Sequence, residues 1–141
     1  MVVDASVWVA AFLANDAFHP EAAGFLNKLV TDGAEVAAPL LALSEVAGAI
    51  ARQTANPAVA EKAVAFLREQ TWIQLAPLND ALATLAATIA AQQQLRGADA
   101  IYVALAAQGD AALITLDREM LERAPDSVIA TTPSGWLKQT H

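Results

Sequence analysis

Hydrophobic positions along the chain fall into two alternating patterns: short runs that are apolar throughout, and longer runs with helical period. Val2-Val3 predicts a first strand ending at Asp4, and Ser6 to Leu13 an apolar helix closed by Asn15-Asp16. His19-Pro20 opens a second helix, with the proline in its first turn, reaching about Val30. Asp32-Gly33 turns the chain into a strand from Glu35 to Ala38. Pro39 then starts a long helix from Leu40 to about Gln53, and Asn56-Pro57 opens the next, Ala58 to Glu69. The latter carries Val59, Ala63, Phe66 and Leu67 on one face. Trp72 to Leu75 predicts a third strand, and Asn79 caps a helix reaching about Gln94.

The densest stretch is Leu95 to Met120. Asp99 stands just before Ala100 to Ala107, a segment apolar on every face and so a buried helix. Gly109-Asp110 is a turn signal, Ala112 to Thr115 reads as a short central strand, and Asp117 sits just past its carboxyl end. Ser127 to Ala130 predicts a last strand, and the tail from Pro133 is short and polar apart from Trp136. The alternation predicts an α/β fold, with a parallel sheet of about five short strands covered on both faces by about seven helices. No internal repeat, low-complexity segment or linker divides residues 1–141, which read as a single domain.

Composition narrows the class. The 141 residues are 56% hydrophobic with no cysteine, enough for one core and without a disulfide framework or thiolate site. No basic leader precedes Met1-Val2-Val3, and the apolar runs stop well short of the roughly 20 residues of a membrane span. The expectation is a soluble cytoplasmic protein with no membrane partner. Eight Lys and Arg against fifteen Asp and Glu give a net charge of −7. That balance opposes a nucleic-acid binder built on a basic surface. It leaves room for an enzyme that handles phosphodiesters through a bound divalent cation, because the ion supplies the local positive charge. Arg52, Arg96 and Arg118 also lie close in sequence to the acids below.

Four of those acids occupy similar places. Asp4 ends the first strand, Asp117 follows the fourth, Asp99 opens a buried helix, and Glu45 lies within the almost wholly apolar run Leu40 to Ile50. Each has an ordinary reading. Asp4 and Asp99 suit helix N-caps, Asp117 suits a helix opening, and Glu45 suits an ion pair with an arginine. Yet Leu41, Glu45, Gly48 and Arg52 share one helical stripe, so Gly48 leaves space beside the Glu45 carboxylate with a cation behind it. Strand-end acids project to one edge of a parallel sheet, where convergence is natural. Burying them ionised and unpaired costs several kcal/mol, so something must neutralise them. Oxygen ligands without cysteine or an embedded histidine suit magnesium or manganese better than zinc.

Other candidates are weaker. Trp8, Trp72 and Trp136 suit core packing better than base stacking, and Tyr102 also reads as core. His19, in a loop before a proline, and His141, the last residue, offer no histidine general base. Gly33, Gly97 and Gly109 are turn or cap glycines, and no phosphate-binding glycine loop is present.

The segments VVDASVWVAAF, PLLALSEVAGAIAR, LRGADAIYVALA and ALITLDREM, in this order and spacing, resemble the PIN domain. More narrowly they resemble the VapC-type ribonuclease toxins of toxin–antitoxin pairs. The resemblance runs from the first residues to Asp117, and the part after Met120 adds no motif. It implies a PIN-like, Rossmann-like sheet and maps the family's acidic quartet onto Asp4, Glu45, Asp99 and Asp117 without a gap. It maps supporting hydroxyls onto Ser6 and Thr115. The implied activity is endoribonuclease cleavage by a water activated with Mg2+ or its substitute Mn2+. Asp4, Glu45 and Asp99 would be the primary metal set and Asp117 an outer or second-metal ligand. The resemblance also implies a homodimer and a small antitoxin partner that blocks the acidic pocket.

Three rivals remain at this level. A phospho-acceptor receiver domain is also small, acidic and magnesium-binding, but it needs an acidic pair after the first strand and a lysine after the last. Here Asp4 stands alone and Ala130-Thr131-Thr132 follows Ile129. A PIN-like module that only binds a partner has no reason to keep four costly acids. A housekeeping ribonuclease that processes RNA shares the chemistry.

Overall fold

The two strands at the centre carry no polar side chain: Val2, Val3, Leu113 and Ile114 are all buried. Side chains of successive strand residues point to opposite faces, so apolar residues at every position require cover on both. The computed structural model describes residues 1–140 and shows that arrangement. The strands are β1 (Val2–Val3), β2 (Val36–Pro39), β3 (Ile73–Ala76), β4 (Leu113–Ile114) and β5 (Ala130–Thr131). Between and after them run α1 (Ala5–Phe12), α2 (His19–Asp32), α3 (Ala42–Thr54), α4 (Pro57–Glu69), α5 (Asp80–Gln93), α6 (Gly97–Gln108), α7 (Arg118–Arg123) and α8 (Pro133–Gln139).

All pairings are parallel, in the order β3-β2-β1-β4-β5. The chain first builds outward from β1 through β2 to β3, then returns to place β4 on the other side of β1. That reversal is the topological switch point, and the carboxyl ends of β1 and β4 lie beside each other there, with Val3 opposite Ile114. Helix α6 packs on β1, β2 and β4 and against α5, while α1 packs against α2 and α3, and α3 against α4. Among the described residues no helix is long and apolar enough to cross a membrane.

The expected α/β class and five-stranded parallel sheet are present, with several boundaries moved. Pro39 closes β2 instead of opening a helix, because Leu40 N–H continues the pairing towards β3 by donating to Ala76 O at 2.8 Å. Helix α3 therefore starts at Ala42, which puts Glu45 in its first turn rather than mid-helix. Helix α6 starts at Gly97 with Arg96 at the N-cap, so Asp99 lies inside its first turn and caps nothing. The last strand is Ala130–Thr131, not Ser127 to Ala130: Ser127 belongs to the turn closed by Val128 N–H on Pro125 O.

The tail from Pro133 is an eighth helix rather than a polar strand of coil. Thr132 caps it by accepting from Gly135 N–H at 3.0 Å, and Pro133 fits its first position. Glu21 on α2 accepts from Ser134 N–H at 3.0 Å and docks the helix. His141 lies outside the described residues.

Trp8 anchors α1 in the core, with no exposed surface and its ring 6.0 Å from that of Trp72. Its Nε1–H is buried without an acceptor among the described residues. Trp8→Ala is expected to lower the unfolding free energy in urea titrations by about 3–5 kcal/mol. Trp8→Phe is expected to cost distinctly less, since it keeps much of the packing and removes an unpaired donor. Equal losses would show that the indole N–H has a partner after all.

Candidate active site

Asp4 is placed by the end of β1. Its N–H donates to Ile114 O at 2.9 Å, so the chain stays paired with β4 up to the point where α1 begins. Its side chain caps α1, accepting from Ser6 N–H at 3.3 Å. Oδ2 of the same carboxylate also accepts from the Ser6 hydroxyl at 2.6 Å and from the Thr115 hydroxyl at 2.9 Å. Each hydroxyl accepts in turn from the backbone: Ser6 from Leu116 N–H at 3.0 Å, Thr115 from Asp117 N–H at 2.9 Å. Both hydroxyls are thus fixed in orientation, and all three bonds fall on one oxygen of Asp4. Oδ1 has no donor among the described residues. The capping reading of Asp4 is correct and does not exhaust it.

The other acids reach the same edge from three helices. Glu45 Oε1 accepts from Tyr102 O–H at 2.7 Å. Asp99 Oδ2 accepts from Arg96 Nε at 3.1 Å, and Arg96 Nη2 lies 3.5 Å from Asp117 Oδ2. Asp117 caps α7 through Met120 N–H at 3.0 Å. The arginine pair expected for Glu45 is replaced by this buried tyrosine. Nor does Gly48 leave the space expected beside Glu45, because a Cβ there would stand 3.2 Å from Arg52 Nη1. Arg52 folds back along α3 and occupies that ground. Arg118 bonds none of the four acids among the described residues.

Electrostatics link the four in a row. Burial pushes the Asp4 carboxyl up to about 6, against the pull of the Ser6 and Thr115 bonds and with a push from Glu45. Burial also raises Glu45, opposed by the Tyr102 bond and reinforced by the charge of Asp99. Asp99 is raised by burial, restrained by Arg96 and raised again by Asp117. Burial, then the charges of Asp4 and Glu45, hold the Tyr102 hydroxyl far above the ordinary phenol range, so it remains a hydrogen-bond donor. Like charges crowded this way favour protons or a cation.

Among the described residues, no three acidic or histidine side chains stand ready as a metal cage. The Arg96 guanidinium lies between Asp99 and Asp117 instead, with its side chain 71% exposed. The donor set is nevertheless all oxygen, and a cation already bridges two of its members. In both respects these residues fit a hard divalent ion, provided that Arg96 gives way. A cavity of about 560 Å³ opens beside the acids, with Ser6, Glu45 and Asp117 in its wall.

Pattern alone missed two participants. Tyr102 lies three residues after Asp99 on α6, so it shares the acid's face, but nothing local said which acid it would meet. Arg96 was visible only as a cation near Asp99; its second contact, to Asp117, comes from the fold.

The PIN domain family profile matches residues 1–126. Comparison with curated protein sequences finds no significant match. Among solved structures, the Mycobacterium tuberculosis toxin VapC20, described as cleaving the sarcin-ricin loop, aligns with a TM-score of 0.73 at 20% identity, covering 91% of this chain and 98% of its own. A toxin–antitoxin complex from Klebsiella pneumoniae aligns with a TM-score of 0.64 at 17% identity, covering 94% and 96%. VapBC2 of Rickettsia felis, bound to a promoter DNA fragment, aligns with a TM-score of 0.69 at 13% identity, covering 93% and 96%. At such identities the likeness is one of fold.

The raised Asp4 carboxyl has a consequence for stability. Between the ordinary value of 3.8 and about 6 the folded protein binds more protons than the unfolded chain. Stability therefore falls as pH rises through that window, and the penalty is complete above it, at up to about 3 kcal/mol for Asp4 alone. Glu45 and Asp99 add to it with the same sign. In EDTA, urea titrations are expected to show a more stable protein near pH 5 than near pH 7.5. Asp4→Asn, whose amide oxygen can still accept from both hydroxyls, is expected to flatten that slope and raise stability at the higher pH. A wild type that gains stability over this range would contradict the assignment.

Proposed function

Because this chain belongs to the PIN domain family, we propose that it is a metal-dependent endoribonuclease, the toxin of a toxin–antitoxin pair. The observation that carries the reading is the row Asp4, Glu45, Asp99 and Asp117 at the switch point, where mutual repulsion and burial exceed what helix capping by Asp4 and Asp117 requires. Asp4, Glu45 and Asp99 would hold Mg2+, with Mn2+ as a substitute, and Asp117 would serve as an outer or second-metal ligand. When bound, the ion lowers the pKa of a water and neutralises charge on the phosphate and leaving oxygen.

The chain's own residues do the rest. Ser6 and Thr115 lock Asp4 with Oδ1 open, and Tyr102 locks Glu45 with Oε2 open, so the acids are oriented before any ligand arrives. Arg96 holds Asp99 and Asp117 close together. Support for a small antitoxin partner and for the toxin role comes from the similar folds solved in toxin–antitoxin complexes; a homodimer belongs to the same proposal. A cytoplasmic location belongs to the same proposal.

The decisive experiment is cleavage of pooled cellular RNA by purified protein, stripped of any partner, with manganese. Discrete cuts are expected, lost in EDTA and reduced more than about 100-fold by Asp99→Asn. Cuts confined to one transcript class whose loss stops growth would fit a toxin, whereas trimming of precursors would fit a processing enzyme. Folded protein that binds manganese but cuts nothing would make it a binding module.

Arg96 generates a second expectation. Since it occupies carboxylate oxygens the ion needs, Arg96→Gln should bind Mn2+ about three- to tenfold more tightly by calorimetry. Weaker binding would make Arg96 a support of the metal site rather than a competitor.

A further inference from the structure

Arg96 is held loosely for a residue between two acids. It reaches Asp99 through Nε at 3.1 Å and Asp117 through Nη2 at 3.5 Å, one nitrogen for each. Neither contact is the two-pronged pairing that a guanidinium can form with a carboxylate. The Arg96 side chain is 71% exposed, against 11% for Asp99 and 26% for Asp117. Ion pairs so open to water are weak, and little keeps the guanidinium where it lies. The backbone beneath it is fixed instead. Arg123 on α7 donates through Nη1 to Gln94 O at 2.7 Å, and Leu95 is buried, with its N–H on Ala90 O at 3.2 Å. Asp117 is held independently, since Met120 N–H bonds its other oxygen, Oδ1. The side chain of Arg96 can therefore leave both acids while the turn that carries it and the cap of α7 stay in place.

We propose that Arg96 is a catalytic residue that changes partners: once Asp99 and Asp117 take up a divalent ion, its guanidinium passes to the nonbridging oxygens of the scissile phosphate. The inference rests on the ribonuclease reading and adds a residue to that site. Three observations support it together. The carboxylate oxygens that Arg96 bonds are among those an ion needs, so taking up the ion frees the guanidinium. Because Arg96 already reaches both acids, a phosphate brought to them comes within its range. Arg118, the nearest arginine in sequence to Asp117, bonds none of the four acids among the described residues. The charges of Asp99, Asp117 and Glu119 hold the Arg96 guanidinium above even the ordinary arginine range, so it stays a cation and moves no proton. Its planar fork suits two oxygens of one phosphate. Hydrolysis joins the oxygen of a water to phosphorus and breaks one P–O ester bond. One proton of that water ends on the leaving oxygen, and the other passes to solvent from the new phosphate monoester. Negative charge on the nonbridging oxygens is what Arg96 would offset as the bond breaks.

The test separates the two partners of Arg96. At saturating Mn2+, Arg96→Gln should lower kcat about 100-fold with little change in KM, and Arg96→Lys should recover part of the rate. Binding is read by fluorescence anisotropy on a fluorescein-labelled, unstructured RNA of roughly twelve nucleotides. It is read in calcium, a hard cation that the same oxygens accept and a poorer activator of water, and again in EDTA. In calcium, Arg96→Gln should reduce the salt dependence of RNA binding by about one counterion. In EDTA it should leave that dependence unchanged, because there the guanidinium is engaged by Asp99 and Asp117. An unchanged kcat at saturating Mn2+ would overturn the proposal. So would an equal loss of salt dependence with and without the ion, which would make Arg96 an ordinary surface contact. A loss of rate cured by raising Mn2+ would overturn it too, leaving Arg96 a support of the ion alone. Wild-type protein that binds Mn2+ by calorimetry yet cuts no RNA would sink the ribonuclease reading itself, and this inference with it.

Discussion

The hydrogen bond from Thr115 to Asp4 joins residues 111 positions apart and sits where two buried strands end. Everything at the site refers back to it. The pairing of Val3 with Ile114 sets the two residues side by side, and the shared Asp4 oxygen then fixes Ser6. The backbone donors of Leu116 and Asp117 follow from those two hydroxyls. A carboxylate buried at this depth would be intolerable without such donors, and even with three of them its proton affinity stays raised. The fold therefore does not neutralise the acid but holds it in one orientation.

That choice runs through the whole row of acids. Tyr102 could have been a phenylalanine if core packing were its only task, yet its hydroxyl is spent on Glu45. Arg96 could have paired with one aspartate at the surface, yet it reaches two. Each donor limits the penalty of crowded charge without abolishing it. A site built this way sacrifices some stability for readiness, as expected where function and stability compete.

The legible parts of the sequence were those governed by local rules. Runs such as Val2-Val3 and Leu113-Ile114 declared a parallel sheet because they are apolar at every position, and the acids declared themselves by breaking such runs. Boundaries were harder where two local rules competed. Pro39 looks like a helix start, but strand pairing claimed it, and Asp99 looks like a cap, but Arg96 holds that place. The last helix had its signal in Thr132-Pro133, outweighed by the polar character of the tail. Contacts between distant elements left no local trace: the bond of Tyr102 to Glu45 crosses 57 positions.

The strand order has a consequence in time. β1 is the first strand made during synthesis and lies at the centre of the finished sheet, but its neighbour β4 is the fourth to emerge. Until then Asp4 has neither Thr115 nor the strand beside it, and the row of acids does not exist. Closing so long a loop costs chain entropy before any contact rewards it, which slows this pairing. A nascent chain that has not yet made β4 therefore cannot assemble the row of acids at all.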